Sequence, residues 1–242
     1  MPLSLRMASD FALLTYNMHG FNQGELFLKD ICSSANYDVI FLQEHWLNKD
    51  GLNKFNIFND YISFGISAID DNCVLYGRPY GGVLTMIKKK YSQFIKPIAI
   101  RERFVILKLN NFIFINCYFP CELSRNDVDD LLLEITSDLS DCLDSVSYDG
   151  IIIAGDFNCN LNNNSLQSQK IKEFLNSYNI GYIDIACFNS SDIDTFGNIS
   201  RGAFSVIDYV CVSNNFISNS VTNYNVHLYN IFTLTMNLFC LY

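Results

Sequence analysis

Residues 151–159 read IIIAGDFNC, four apolar residues followed by Gly155, Asp156, Phe157 and Asn158. The run is short, rich in β-branched side chains and closed by turn formers, so it reads as a buried strand whose end hands two polar side chains to a loop. Active sites favour that position, because a rigid strand aims whatever the following loop presents. Chance alone places such a Gly-Asp-Phe-Asn string in roughly one chain in a hundred of this Phe- and Asn-rich composition, so it carries weight only in company.

Similar strand ends supply that company. Residues 11–16 form a strand-like run that ends at Asn17, residues 39–43 one that ends at Glu44, and Tyr118 closes the run 112–118 just before Phe119 and Pro120. Asn and Asp are common wherever strands stop, so any one of these alone is as well explained by a turn. A further apolar run, 203–212, carries Ser205 and Asp208, with Asp208 facing away from Ile207, and a carboxylate inside such a strand needs a partner or a metal.

Additional strands are expected over 83–87 and 104–109, and three- and four-residue apolar spacing predicts helices over 24–36, 127–146 and 167–178. Asn110 and Asn111 join two neighbouring strands as a hairpin, which a purely parallel sheet would not contain. The expected fold class is therefore α/β, with two packed mixed β-sheets flanked by helices. A chain of 242 residues with 50% hydrophobic composition can bury one large core, so residues 1–242 are expected to form a single domain.

A formal net charge of -9 argues only weakly against nucleic acid, because a local basic face would suffice and a carboxylate pocket built around a cation would itself make a chain acidic. The nine cysteines show no zinc spacing and several sit in apolar runs. Reduced thiols, and hence an intracellular location, nuclear or cytoplasmic, are expected. No stretch is long and apolar enough to predict a membrane span, so no membrane partner is expected.

Taken in order, Asn17, Glu44, Tyr118, Asp156 with Asn158, and Asp208 resemble the motif series of the endonuclease/exonuclease/phosphatase superfamily, which includes deoxyribonuclease I and the abasic-site endonucleases. The local wording is closer to the endonucleases of LINE-type retrotransposons: YNMHG at 16–20, FLQEHW at 41–46, GRPYGGV at 77–83, GDFNC at 155–159 and SVIDY at 205–209. The resemblance spans about residues 11–212. It implies a four-layered α/β sandwich with its site at one edge of the two sheets, and DNA as the partner. It also implies Mg²⁺ as cofactor, with Mn²⁺ as an alternative, held principally by Glu44 and aided by Asn17.

In the same reading Asp156 orients or deprotonates the attacking water, Asn158 and Tyr118 hold phosphate oxygens, and Asp208 supports the metal or a terminal histidine. Arg78 and Ser205 are substrate-binding candidates. For Arg78 an exposed turn residue is an equal account. Neither His19 nor His45 is assigned a catalytic role.

The superfamily's closing Ser-Asp-His motif is not found: residues 228–242 contain neither Asp nor His. The tail reads either as the truncated or frame-shifted end of a mobile-element copy or as a diverged end that kept the fold. The last strand is thus expected to be missing or altered, leaving its neighbour with an unpaired edge and the chain with weak or absent activity. Two rival functions remain: an inactive remnant that binds nucleic acid or protein, and a phosphoesterase for a lipid or inositol headgroup.

Overall fold

The computed structural model describes residues 10–69, 81–121, 125–182, 196–198, 203–214, 221–227 and 231–237. Two six-stranded sheets form its centre. In chain order the strands of the first sheet are β1 (Asp10–Asn17), β2 (Val39–Gln43), β3 (Tyr61–Ile66), β4 (Val83–Lys88), β13 (Val221–His227) and β14 (Ile231–Asn237), lying side by side as β13-β14-β1-β2-β4-β3. The second sheet contains β5 (Ile95–Ile100), β6 (Phe104–Leu109), β7 (Phe112–Tyr118), β8 (Gly150–Asp156), β9 (Ile180–Tyr182) and β12 (Asp208–Ser213), ordered β5-β6-β7-β8-β12-β9. A small ribbon pairs β10 (Phe196–Asn198) with β11 (Ala203–Ser205).

Two parallel pairs organise the layers. β1 and β2 run parallel, connected through helix α1 (Phe21–Ser34), while β7 and β8 run parallel, connected through α2 (Arg125–Asp144). Parallel neighbours require such crossovers, and the crossover helix has to cover a sheet face. Accordingly Phe21, Leu28 and Ile31 of α1 pack on Leu14, Ile40 and Leu42. Leu132, Ile135 and Leu139 of α2, with Ile171 and Phe174 of α3 (Leu166–Ser177), pack on Ile113, Ile115, Ile151 and Ile153. The alternate residues of those strands turn the other way, so that Leu13, Phe41, Phe114, Ile152 and Val210 meet between the sheets. Strands buried on both faces read as unbroken apolar runs, which is why 39–43 and 151–154 show no alternation. The four-layered sandwich expected from the sequence is the fold observed.

Helix and strand ends depart from the sequence reading in informative ways. α1 starts three residues earlier than periodicity suggests, because Gly20 and Phe21 are tied to the carbonyls of Glu44 and His45. The run 203–212, read as one strand, is broken between β11 and β12, where the carbonyl of Ile207 accepts the N–H of Phe157. Asp208 is therefore the first residue of β12. The hairpin between β6 and β7 is as expected, with Asn110 in the left-handed region at φ 52°.

The tail gives the largest correction. Rather than leaving β1 with an unpaired edge, residues 231–237 form β14, which pairs antiparallel with β1 from Asp10↔Asn237 to Tyr16↔Ile231. The last strand is thus present in backbone and altered in sequence. Backbone pairing depends little on side-chain chemistry, so an apolar and Thr-bearing strand fills the place without supplying Asp or His. No helix among the described residues is long and apolar enough to cross a membrane.

Candidate active site

Strand register alone brings the polar ends together. Asn17 pairs with Gln43 at the end of β1 and β2, Tyr118 with Asp156 at the end of β7 and β8, and Asp156 with Asp208 at the start of β12. Along the inward faces the sequence runs from apolar to polar over a few positions: Leu13, Thr15, Asn17 on β1; Phe114, Asn116, Tyr118 on β7; Ile152, Ala154, Asp156 on β8. Period-two side-chain alternation keeps each of these series on one face, so the inter-sheet core ends as a polar rim.

At that rim the side-chain amide of Asn17 donates to Asp156 Oδ2 at 2.8 Å and to Glu44 Oε1 at 3.3 Å. Tyr118 donates its phenol to Glu44 Oε1 at 3.1 Å, and the indole N–H of Trp46 donates to Glu44 Oε2 at 3.0 Å. Asp156 is 2% exposed and its Oδ1 accepts the backbone N–H of Asn158 at 2.9 Å. Asn158, at φ 49°, directs its amide to the carbonyl of Phe119 at 3.0 Å. Asp208 is equally buried and directly opposite Asp156 in the ladder, where side chains share a face.

Electrostatics follow from this crowding. Burial raises the pKa of Asp156 to about 7, with the Glu44 carboxylate adding to the rise and the N–H of Asn158 and the amide of Asn17 opposing it. Burial, reinforced by Glu44 and Asp156, raises the Tyr118 phenol above its usual value, so it stays a hydrogen-bond donor. Among the described residues no Lys or Arg forms an ion pair with Glu44 or Asp156.

The donor set suits a hard divalent cation. Mg²⁺ asks for one or two carboxylates and keeps several waters, and here a half-buried Glu44, whose Oε2 accepts a single described hydrogen bond, sits beside a second, buried carboxylate, with no described Lys or Arg paired to either. Asn17 fits less simply. Its oxygen accepts the backbone N–H of His19 at 3.1 Å, and its NH₂ faces the carboxylates, so the amide must turn over to offer oxygen.

Two glycines explain motif positions. Gly155, at φ 150°, lies so close to β7 that a Cβ would stand 1.9 Å from the carbonyl oxygen of Cys117. Gly20, at φ 97°, has the Trp46 ring where a Cβ would be, at 2.4 Å. Both close approaches keep site loops against their neighbours.

The other sequence candidates fall elsewhere. Ser205 ends β11, where its hydroxyl donates to the Val206 carbonyl at 3.5 Å, and no described contact joins it to Glu44 or Asp156. Arg78 lies outside the described residues. His45 is fully buried; its Nδ1 accepts the N–H of Leu47 and its Nε2–H donates to the carbonyl of Ile66, and burial lowers its pKa to about 4. It is a neutral structural imidazole. His227 ends β13 opposite Ile231, which in turn is opposite Tyr16, so both residues stand at the rim's level in the backbone.

Sequence reasoning missed Arg103 and Trp46. The guanidinium of Arg103 lies 5.1 Å from the centre of the Tyr118 ring, and its carbonyl accepts the N–H of Tyr118. Only the β6–β7 register brings it there, although its place just before the strand 104–109 was a usable hint.

Residues 14–228 match the Endonuclease/Exonuclease/phosphatase family model. The chain belongs to this family. Solved structures share the fold at low identity. The AP endonuclease LMAP from Leishmania major aligns with TM-score 0.74 and 15% identity over 95% of this chain and 88% of its own. The 3′ phosphatase NExo from Neisseria, bound to a product DNA hairpin, gives 0.70 and 13% over 93% and 98%. The catalytic domain of APE2 from Xenopus laevis gives 0.66 and 15% over 94% and 92%. No curated protein matches the chain in sequence. Family membership makes a nuclease or phosphatase activity the expected chemistry of the chain.

Proposed function

We propose that the chain is a Mg²⁺-dependent DNA endonuclease of retrotransposon type, with Mn²⁺ as an alternative metal, acting at the rim formed by Asn17, Glu44, Tyr118, Asp156, Asn158 and Asp208. The observation that carries the reading is the Asn17 amide spanning Glu44 and Asp156, because it draws carboxylates from two sheets to one point where no described Lys or Arg forms an ion pair with either. The similarity to a DNA-bound 3′ phosphatase and to an AP endonuclease supports DNA as substrate. The wording of YNMHG, FLQEHW and GDFNC supports the retrotransposon type.

Glu44 would be the principal ligand of the cation, and Asn17 would join it only with its amide turned over. When bound, the cation would polarise a phosphoryl oxygen and offset charge that grows during in-line displacement. Asp156 accepts the proton of the attacking water; with a pKa of about 7 it is both available as carboxylate and basic enough near neutral pH. The protonated Tyr118 and the Asn158 amide hold phosphate oxygens, and Arg103 supplies a positive charge beside them. Local cations of this kind reconcile DNA binding with a net charge of -9.

A second reading, an inactive remnant that keeps the fold, is favoured by one observation: residues 228–242 hold no Asp and no His. Supercoiled-plasmid nicking in Mg²⁺ or EDTA separates the two. The chain is compared with Asp156→Ala and with Tyr229→Asp/Asn230→His, which restores both groups directly before β14. Nicking by the unmodified chain that EDTA and Asp156→Ala abolish supports the endonuclease. Nicking by the restored variant alone, a gain of roughly 10²–10⁴-fold, supports the remnant. Silence from both, with folding confirmed, overturns the DNA reading.

A further inference from the structure

A buried polar chain lies one layer below the rim. Asn116 on β7 is fully buried; its NH₂ donates to the carbonyls of Leu42 at 3.2 Å and Leu84 at 3.0 Å, both on the opposite sheet. Its oxygen accepts from the Gln43 amide at 2.7 Å, and Gln43, also fully buried, exchanges hydrogen bonds with the Thr15 hydroxyl at 3.1 and 3.4 Å. Four strands from two sheets, β1, β2, β4 and β7, are thereby joined where the surrounding inter-sheet contacts are non-directional.

Hydrophobic packing fixes the distance between two sheets far better than their sliding register, because it has no preferred direction. Directional bonds do fix register, and a buried amide left without partners costs about 1–3 kcal/mol, so a slipped arrangement is penalised. Each member stands directly beside a rim residue: Thr15 is two positions before Asn17 on the same face, Asn116 two before Tyr118, and Gln43 adjoins Glu44. The cross-sheet contacts Tyr118 to Glu44 and Asn17 to Asp156 depend on that register.

We infer that Thr15, Gln43 and Asn116 are positioning residues, a clamp that holds the sheet bearing Glu44 in register with the sheet bearing Tyr118 and Asp156; this rests on reading those residues as one site. None of the three touches substrate. The clamp predicts a split: metal binding, which draws on Glu44 and Asn17 of one sheet, survives its loss, whereas steps that need both sheets do not.

The single tryptophan, Trp46, gives one indole N–H resonance, and that N–H is bonded to Glu44. In the unmodified chain Tyr118→Phe is expected to shift this resonance, since the phenol shares the carboxylate. In an Asn116→Leu background, or in Gln43→Met should that protein fail to fold, the same Tyr118→Phe change is expected to leave it unmoved, while its Mg²⁺ midpoint stays within about threefold and any kcat falls about 10–100-fold at little-changed KM. A persisting Tyr118→Phe shift in the clamp variant overturns the inference. Absence of any Mg²⁺ shift in the unmodified chain would instead contradict the metal reading, and the Tyr118→Phe comparison would still decide the clamp.

Discussion

β2 carries a carboxylate at each end, and the two are treated in opposite ways. At its start Asp38, 2% exposed, accepts the N–H of Ala12 at 3.0 Å, the phenol of Tyr91 at 3.0 Å and the ammonium of Lys90 at 2.6 Å. Just past its other end Glu44 accepts three neutral donors, and behind it stands the buried Asp156. A buried negative charge needs a compensating positive one, and at Asp38 the protein supplies it. At Glu44 and Asp156 no described Lys or Arg forms an ion pair, Arg103 reaching only the Tyr118 ring, which is what the proposed cation site requires. The difference teaches that burial of an acid is not the signal of function; burial without a protein cation is.

The largest expected effect separates the two ends by activity. Asp156→Asn should lower kcat for plasmid nicking by roughly 10²–10⁴-fold, the contribution of a positioned base, while Asp38→Asn leaves kcat within about twofold. Equal losses at both ends would erase the distinction.

Stability should show the reverse order. Asp38→Asn loses charge-assisted bonds that join β1, β2 and the segment at Lys90, at a cost of about 2–3 kcal/mol in urea unfolding. A change under about 0.5 kcal/mol would mean that Lys90, half exposed, contributes nothing there.

A subtler effect concerns pH, measured without metal. His45, with its pKa lowered to about 4, contributes stability that is present above its unfolded value of 6.5 and is lost as pH falls through that window towards 4. Asp156, raised from 3.8 to about 7, acts in the opposite sense: its contribution is present below 3.8 and is lost as pH rises through 7. Between about pH 4 and 6.5 the two slopes oppose. Asp156→Asn removes one of them, so the variant's stability should rise with pH across that window by up to about 3 kcal/mol more than that of the unmodified chain. Parallel curves for the two proteins would sink this assignment.

The smallest effect belongs to the rim's cation. Arg103→Ala should raise KM for DNA a few-fold and flatten the salt dependence of binding by about one phosphate contact, with kcat nearly kept. An unchanged salt slope would leave Arg103 as a partner of the Tyr118 ring only.

Much of this was legible beforehand because strands that end in a polar residue on their inward face announce both the sheet and its rim. Asn17, Tyr118 and Asp156 could be named from their place after apolar runs, and Glu44 from its place after Gln43. What could not be read depended on contacts between distant segments. Arg103 reaches the rim only through the pairing of β6 with β7, and Trp46 only through the left-handed turn at φ 53° that folds it over Gly20. The expected gap beside β1 failed for a different reason: pairing asks for an extended backbone, and residues 231–237 provide it whatever their side chains. Asp208 was placed within a strand when it starts one, since the break at Val206 and Ile207 has no Gly or Pro to mark it.

The central claim, that Glu44 keeps a place for a divalent cation, is tested most directly by titrating Mg²⁺ into the metal-free chain while following Trp46 emission, because that indole donates to the carboxylate in question. The account predicts a saturable change in the unmodified chain and in Asp38→Asn that is lost in Glu44→Gln. No change in the unmodified chain, or the same change in Glu44→Gln, would contradict it.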